Sequence, residues 1–348
     1  MQDKRKHNKQ LYYEFARSLR TINEDNLKEI ISKYTHDNIN WNGPYPLEIQ
    51  DGLEDHLKEF WEPFIHAFPD IEKNPYVMIA GTDEDGKEWV SATGYYRATF
   101  VNDWLGIPHT GRPIFIRFGE WCEIVDDKII SSFTILDVLD VMRIAGIDLG
   151  FPVWGSQELA LGPAAQDGLW ITEDDRAAQK TIQVIHDMIG GMRDFDGVEL
   201  DTMHQWDFWD ADRMIWAGPA GIGQSRGLAG YQSYHQMPWL KAFPDRQTHG
   251  EVRFVPFFAE NQYVCGGCWS DGEALYATHT GGDLMGLAAT GKGIKIRDYD
   301  WWRIEDGKII ENWCMIDNAH LLKQLGIDIF ARMEKIITKS NFNRCLLP

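Results

Sequence analysis

The chain has 348 residues, 44% of them hydrophobic and 13% aromatic, with 34 basic against 53 acidic side chains and a formal charge of −19. That is an ordinary globular composition, long enough for about two domains. The acidic excess argues against nucleic acid or an anionic membrane as partner, because such surfaces are held largely by lysine and arginine.

The amino-terminal stretch MQDKRKHNKQLYYEF runs into an amphipathic segment without the apolar core of a secretory signal, and nowhere do 18 apolar residues follow one another. The expectation is a cytoplasmic protein. Leu11, Phe15 and Leu19, then Leu27, Ile30, Ile31 and Tyr34, recur at spacings that place apolar side chains on one face of a helix. A third helical stretch, 53–68, ends at the turn AFPD. Strand-like runs follow at 77–79, 89–100, 114–124 and 129–136, separated by Gly, Asp and Pro. Helices first and antiparallel strands after them predict an α+β domain with the helices on one side of a curved sheet.

The same order then recurs. Trp41, Gly43 and Pro44 match Trp216, Gly218 and Pro219, Gly52-Leu53 matches Gly227-Leu228, and AFPD at 67–70 returns at 242–245, all at an offset of 175. From Trp89 onward an offset of 180 pairs Trp89 with Trp269, Thr110-Gly111 with Thr290-Gly291, Trp121 with Trp301 and Asp137 with Asp317. Five additional residues are therefore expected between Asp245 and Trp269. The predicted organisation is a first domain at 1–150, a Gly- and Pro-rich connector at 151–171, and a second domain at 172–348 with a helical tail. Thr172 and Asp175 mark the expected helix start of the second copy.

Side chains alternate across a strand, so Trp313, Met315 and Asp317 share one face in the second copy, as Phe133, Ile135 and Asp137 do in the first. A carboxylate in an apolar row has its pKa raised towards the range useful for general acid and base work. The alternative reading of both aspartates is that they cap the helices predicted after them, at 138–145 and 320–325.

THTG at 278–281, Gly286, Thr290-Gly291-Lys292, WWRIEDGKIIENW and Asp317 followed by LLKQLG, with WxGP and AFPD upstream, resemble the signature of SnoaL-like polyketide cyclases in the nuclear transport factor 2-like superfamily. The resemblance covers both copies. It implies two tandem cone-shaped domains, each a bent antiparallel sheet around about three helices, with a deep apolar pocket inside the cone. It also implies that Asp317 and Asp137 move a proton during an aldol ring closure on a polyketide ester, without cofactor. His279, in a segment that reads Arg97-Ala-Thr-Phe in the first copy, is the expected partner of Asp317. Trp41, Asn42, Arg97, Trp216, Trp301, Trp313, Met315 and Phe133 are the expected substrate-binding residues. The second copy is the one favoured for chemistry.

The function expected is a cyclase or isomerase acting on an apolar, carbonyl-bearing small molecule. Alternatives are a non-catalytic ligand-binding or scaffold module, or an epoxide hydrolase or dehydratase of the same fold. A hydrolase set would begin with Arg97 and Asp137, but Thr99 stands where a second carboxylate is needed. Members of the superfamily associate through their sheets, so the copies are expected to form an internal pseudo-dimer able to join a second chain. Cys265-Gly-Gly-Cys268 has half the spacing of a zinc or redox site, but nothing completes it and no metal is expected. Gly281, Gly282, Gly286, Gly291 and Gly293 read as a flexible loop near a pocket mouth rather than a phosphate cradle.

Overall fold

The structure, a computed structural model, describes residues 2–246, 254–270, 275–282 and 284–345. In the first copy, helices α1 (Gln2–Ser18) and α2 (Leu27–Tyr34) lead into strands β1 (Thr35–Asn42) and β2 (Ile49–Asp51). Helices α3 (Leu53–His56) and α4 (Glu62–Ala67) are joined through a π-helical turn at Leu57–Trp61, and strands β3 (Glu72–Thr82), β4 (Glu88–Thr99), β5 (Pro113–Val125) and β6 (Lys128–Leu136) precede helix α5 (Val138–Ile144). The second copy repeats the plan with α6 (Asp175–Gly191), β7 (Ile215–Ala217), β8 (Gln224–Arg226), α7 (Gly227–Tyr231), a π-helical turn at Gln232–Gln236, and α8 (Met237–Ala242). It continues with β9 (Phe254–Glu260), β10 (Tyr263–Trp269), β11 (Ala277–Thr278), β12 (Gly293–Ile294), β13 (Arg297–Glu305), β14 (Lys308–Ile316), α9 (Asn318–Gln324) and α10 (Ile329–Cys345).

Each copy builds a six-stranded sheet, ordered β2-β1-β6-β5-β4-β3 and β8-β7-β14-β13-β10-β9. The α+β class and the tandem cones are thus as the sequence implies, with one difference. β1 pairs with β6, and β7 with β14, in parallel, so the sheets are mixed. In the first copy this strand comes from the polar segment THDNINWN, and in the second from only three residues, Ile215–Ala217, so neither carries a clear strand pattern of its own. Helix α6 starts at Asp175 and is capped by the Asp174 side chain, which accepts from the Ala177 N–H at 3.0 Å. That lies two residues beyond the Thr172 expected as its opening.

Strand register also moves the inserted residues. Glu123 and Arg303 are equivalent along the last hairpin, and they pair with Trp89 and Tyr263. Trp89 therefore corresponds to Tyr263, a difference of 174, and not to Trp269. By the same argument Thr99, paired with Pro113, corresponds to Thr278, paired with Gly293, a difference of 179. The additional residues enter after β10. The match of Trp89 to Trp269 was a coincidence of residue type.

Both faces of each sheet are buried. Phe118, Cys122 and Ile124 of β5 join the core beneath the helices, whereas Trp121 joins a second apolar cluster with Trp301, Tyr299, Met315, Phe133 and Phe258 between the two sheets. The copies therefore pack sheet against sheet, with the cones opening away from each other. Close approach requires glycine at Gly119, where an added Cβ would stand 2.6 Å from the Trp301 ring. The Trp301 indole donates to Ser91 Oγ at 2.9 Å across the contact. A fully buried ion pair, Lys9 to Glu260 at 2.6 Å, joins α1 to β9, and Glu260 also accepts from the Ala80 N–H at 2.7 Å.

The connector runs along this seam. Gly168 accepts from Met78 N at 2.8 Å, Leu161 O from Trp313 Nε1 at 2.7 Å, and Asp167 from Gln262 Nε2 at 2.7 Å. It is a strap across both copies rather than a free linker. The glycine loop of the second copy rests on it as well: a Cβ on Gly286 would meet Pro152 at 2.9 Å. None of its glycines lines the second cone.

Candidate functional site

Asp137 and Asp317 lie at the seam, not inside the cones. Each caps a helix: Asp137 Oδ1 accepts from the Asp140 N–H at 3.2 Å, and Asp317 Oδ1 accepts from the His320 N–H at 3.0 Å. Their second oxygens reach the other copy, where Asp137 Oδ2 accepts from Ala220 N at 2.8 Å and Asp317 Oδ2 accepts from Tyr45 N at 3.0 Å. Burial raises their pKa values to about 7 for Asp137, helped by Asp140, and to about 6 for Asp317, opposed by Arg297. The raised pKa expected of them is present, but the surroundings are backbone N–H groups that hold a carboxylate in place. The capping alternative describes the contacts they make.

The reason is which face of the sheet they occupy. Phe133, Trp301, Trp313 and Met315, expected to bind substrate, belong to the cluster between the sheets. The alternation was sound, but both faces of these strands are apolar, and periodicity cannot say which one lines the cone. Asn42 donates to Ser132 O at 3.3 Å and to Asn40 Oδ1 at 2.7 Å, on the face opposite Trp41. Arg97 is exposed and bonded to Glu72 and Asn74, so it does not meet Asp137 in a hydrolase-like set. His279 is wholly buried against Phe243, its Nδ1 3.1 Å from Thr290 Oγ1 and its Nε2 without a partner; it neither bonds Asp317 nor lines the cone cavity. Cys265 faces the seam and Cys268 the second cone, as a spacing of three along a strand requires.

Trp41 and Trp216 do face the interiors of the cones, and these interiors differ. In the first, Trp41 stacks on Phe60 at 4.7 Å, and only about 30 Å³ remains open beside Lys73, Glu120 and Tyr96. Lys73 forms a short ion pair with Glu120, and the Tyr12 hydroxyl donates to the same carboxylate. Burial alone would lower the lysine pKa, but the adjoining carboxylate raises it above its ordinary value. The ammonium also lies 4.9 Å from the Phe118 ring. This interior is a closed polar knot.

The second cone encloses a cavity of about 200 Å³ lined by Trp216, Tyr231, His235, Trp239, Tyr276, Trp302 and several methionines. Asp298 and Asp300, two apart on β13, point into it together. Asn312 on β14 donates to Asp300 Oδ1 at 2.8 Å. Asp298 Oδ1 is buried without a hydrogen-bond partner, as are Trp302 Nε1 and both polar atoms of Gln236. Burial, reinforced by the Asp300 charge, pushes the Asp298 pKa well above the carboxylate range, while burial brings Asp300 to about 6 against the hydrogen bond from Asn312. The π-helical turn supplies His235, stacked on Trp216 at 4.2 Å, together with Gln236. Burial lowers the His235 pKa to about 3, so its imidazole is neutral near pH 7. Tyr276 is pushed up to about 12 by burial and stays a phenol.

Sequence reasoning did not single out Asp298, Asp300, His235, Gln236 or Asn312. The signal was present in RDYDWW, an Asp-x-Asp interleaved with aromatic residues whose counterparts in the first copy are Phe118 and Glu120.

Two bent sheets wrapped around helices, each with a cone interior, define an α+β nuclear transport factor 2-like architecture used twice. The family model for SnoaL-like polyketide cyclases matches residues 10–144 and 199–325, so the chain belongs to that family. Among solved structures it is similar to a putative polyketide cyclase from Acidithiobacillus ferrooxidans, at 22% identity over 40% of this chain and 94% of that one, with a TM-score of 0.34. AclR, a putative hydroxylase from Streptomyces galilaeus, matches at 18% identity over 42% of this chain and 85% of that one, with a TM-score of 0.33. IdmH, a putative polyketide cyclase from Streptomyces antibioticus, matches at 20% identity over 34% and 84%, with a TM-score of 0.29. No curated protein matches the chain. Among the described residues no cluster of His, Cys, Asp or Glu is arranged to hold a metal, and no helix is long and apolar enough to cross a membrane.

Proposed function

We propose that the second cone is the reactive one and that it moves a proton on an apolar, enolisable carbonyl compound without a cofactor, as expected of a cyclase or isomerase. The observation that carries this reading is the Asp298–Asp300 pair, partly buried in the wall of an aromatic cavity, with Asp298 Oδ1 buried and left unpartnered. Two carboxylates at close quarters do not both ionise, and their environments push their pKa values apart. Asp300, held by Asn312, is the one ionised near pH 7 and acts as base towards the hydrogen beside a carbonyl. Asp298 stays protonated and donates to the enolate oxygen as charge develops there. Gln236 and Trp302 provide further donors already free of other partners. The aromatic walls suit a flat ligand.

The test is exchange of the α-hydrogens of 2-tetralone in deuterium oxide, followed by NMR. Saturable exchange by the wild type, falling roughly 10²–10⁴-fold in Asp300→Asn, is the expected outcome. Exchange that survives this substitution while vanishing in Asp317→Asn would return the chemistry to the seam. Tight ligand binding with no exchange at all would favour a binding module.

A further inference from the structure

The seam has two symmetry-related ends, and they are not alike. At one end Arg297 donates from Nη1 to Gly43 O at 3.3 Å and from Nη2 to the Glu48 carboxylate at 2.8 Å, facing Asp317 at 3.4 Å. At the other, its counterpart Arg117 donates from Nη1 to Gly218 O at 3.1 Å, but Nη2 has no acceptor. Nε is unpartnered in both arginines. The Tyr76 hydroxyl is the polar side-chain group beside Arg117, close enough to act on its charge but outside hydrogen-bond geometry.

Sequence explains the difference. By the offset of 175, Tyr45 and Glu48 correspond to Ala220 and Gly223. The two side chains that fill the first end are missing from the second, and a cavity of about 310 Å³ stands there, lined by Arg117, Asp137, Ala220 and Gly223 and walled by the connector at Ser156 to Ala160. Arg117 is 3% exposed, so its cation lacks the screening of bulk water. Asp140 and Arg143 also line the cavity but are bonded to each other at 2.7 Å, and Asp137 is committed to two backbone N–H groups. Glu158 contributes one more carboxylate to the rim. The Arg297 end shows that a guanidinium in this setting holds a second carboxylate beside its aspartate.

We propose that this cavity is a binding site for a small organic carboxylate, whose charged end pairs with Arg117 Nη2 and whose body occupies the volume that Tyr45 fills at the other end. The ligand replaces in trans what Tyr45 and Glu48 supply in cis: a carboxylate and, a short distance away, a ring. The site is separate from the second cone and does not depend on the reaction assigned to it. Arginine suits it, since its planar fork takes two oxygens at once.

The probe is 4-hydroxyphenylacetate, which carries both elements, titrated calorimetrically against the full chain, with 4-methylphenol and inorganic phosphate as comparisons. The expected result is one acid bound per chain, at least tenfold weaker binding of 4-methylphenol and phosphate, and at least a tenfold loss in Arg117→Met. Ala220→Tyr copies the Tyr45 end, keeps the backbone N–H that Asp137 needs, and is expected to abolish binding while leaving the melting temperature intact. It serves as the decisive variant if Arg117→Met does not fold. Asp300→Asn is expected to leave the affinity unchanged. Acid binding that survives Ala220→Tyr, disappears in Asp300→Asn, or is matched by 4-methylphenol or phosphate would overturn the proposal.

Discussion

The two cones share a strand order and a pair of π-helical turns, yet one is packed shut and the other is open. In the first, Glu120 is neutralised by Lys73 and by the Tyr12 hydroxyl, and Phe60 covers Trp41. In the second, the equivalent carboxylate, Asp300, has gained a neighbour, Asp298, where the first copy has Phe118, and His235 replaces Phe60. Paired opposite charges in a closed interior have nothing left to offer a ligand. Two neighbouring carboxyl groups that cannot both ionise, one with an unpartnered oxygen, keep a reason to bind a proton, a hydroxyl or an enolate. Once a fold is duplicated, one interior can turn into a strut while the other stays reactive.

That contrast can be broken at several points. The largest effect is expected from Glu120→Gln set against Asp300→Asn: proton exchange should be lost in the second and keep wild-type rates in the first, as read by deuterium incorporation. Next comes Lys73→Met, which leaves Glu120 charged and buried and should cost about 3–5 kcal/mol in chemical denaturation. The double variant Lys73→Met/Glu120→Gln removes the stranded charge and should recover most of that loss. If the single and double variants are equally destabilised, the knot is not electrostatic.

A third effect separates the cones by pH. A carboxyl whose folded pKa lies above its unfolded value binds more protons in the native state, so stability is fullest at low pH and declines as pH rises through the folded value. For Asp300, rising from 3.8 to about 6, the decline falls between pH 4 and 7 and amounts to roughly 3 kcal/mol. Asp300→Asn should therefore melt higher than wild type at pH 8, with the difference shrinking towards pH 4. Glu120→Gln should show no such gain. The smallest effect belongs to the caps. Asp137→Asn keeps an acceptor for the Asp140 N–H but sets an amide donor against the Ala220 N–H, and should cost about 1–3 kcal/mol without altering exchange. A loss of exchange as large as that of Asp300→Asn would restore Asp137 as a proton carrier.

Much of the architecture was legible in the chain. The repeated tryptophans, glycines and AFPD gave two copies of one plan, and Pro, Gly and Asp punctuated the strands where they end. The location of the site was not legible, for a physical reason. Alternation distinguishes the two faces of a strand only when one of them meets water, and here Trp313 and Met315 are as buried on the outer face as Cys314 and Ile316 are on the inner. An aspartate in an apolar row was consistent with either face. Asp-x-Asp at 298–300 pointed to the cone, but only a comparison with Phe118 and Glu120 makes it conspicuous. The charge knot of the first cone was beyond reach, since Tyr12, Lys73 and Glu120 are brought together by tertiary folding alone.

The reciprocal bonds at the seam have a consequence for how the molecule comes apart. Each copy donates a backbone N–H that anchors the aspartate capping the helix after the other's last strand, Ala220 for Asp137 and Tyr45 for Asp317. Melting either half strips the other of that anchor and bares the tryptophans between the sheets. Despite its doubled ancestry, the polypeptide should therefore lose its structure in a single calorimetric step, and a half produced alone should gather into dimers that imitate its missing sibling.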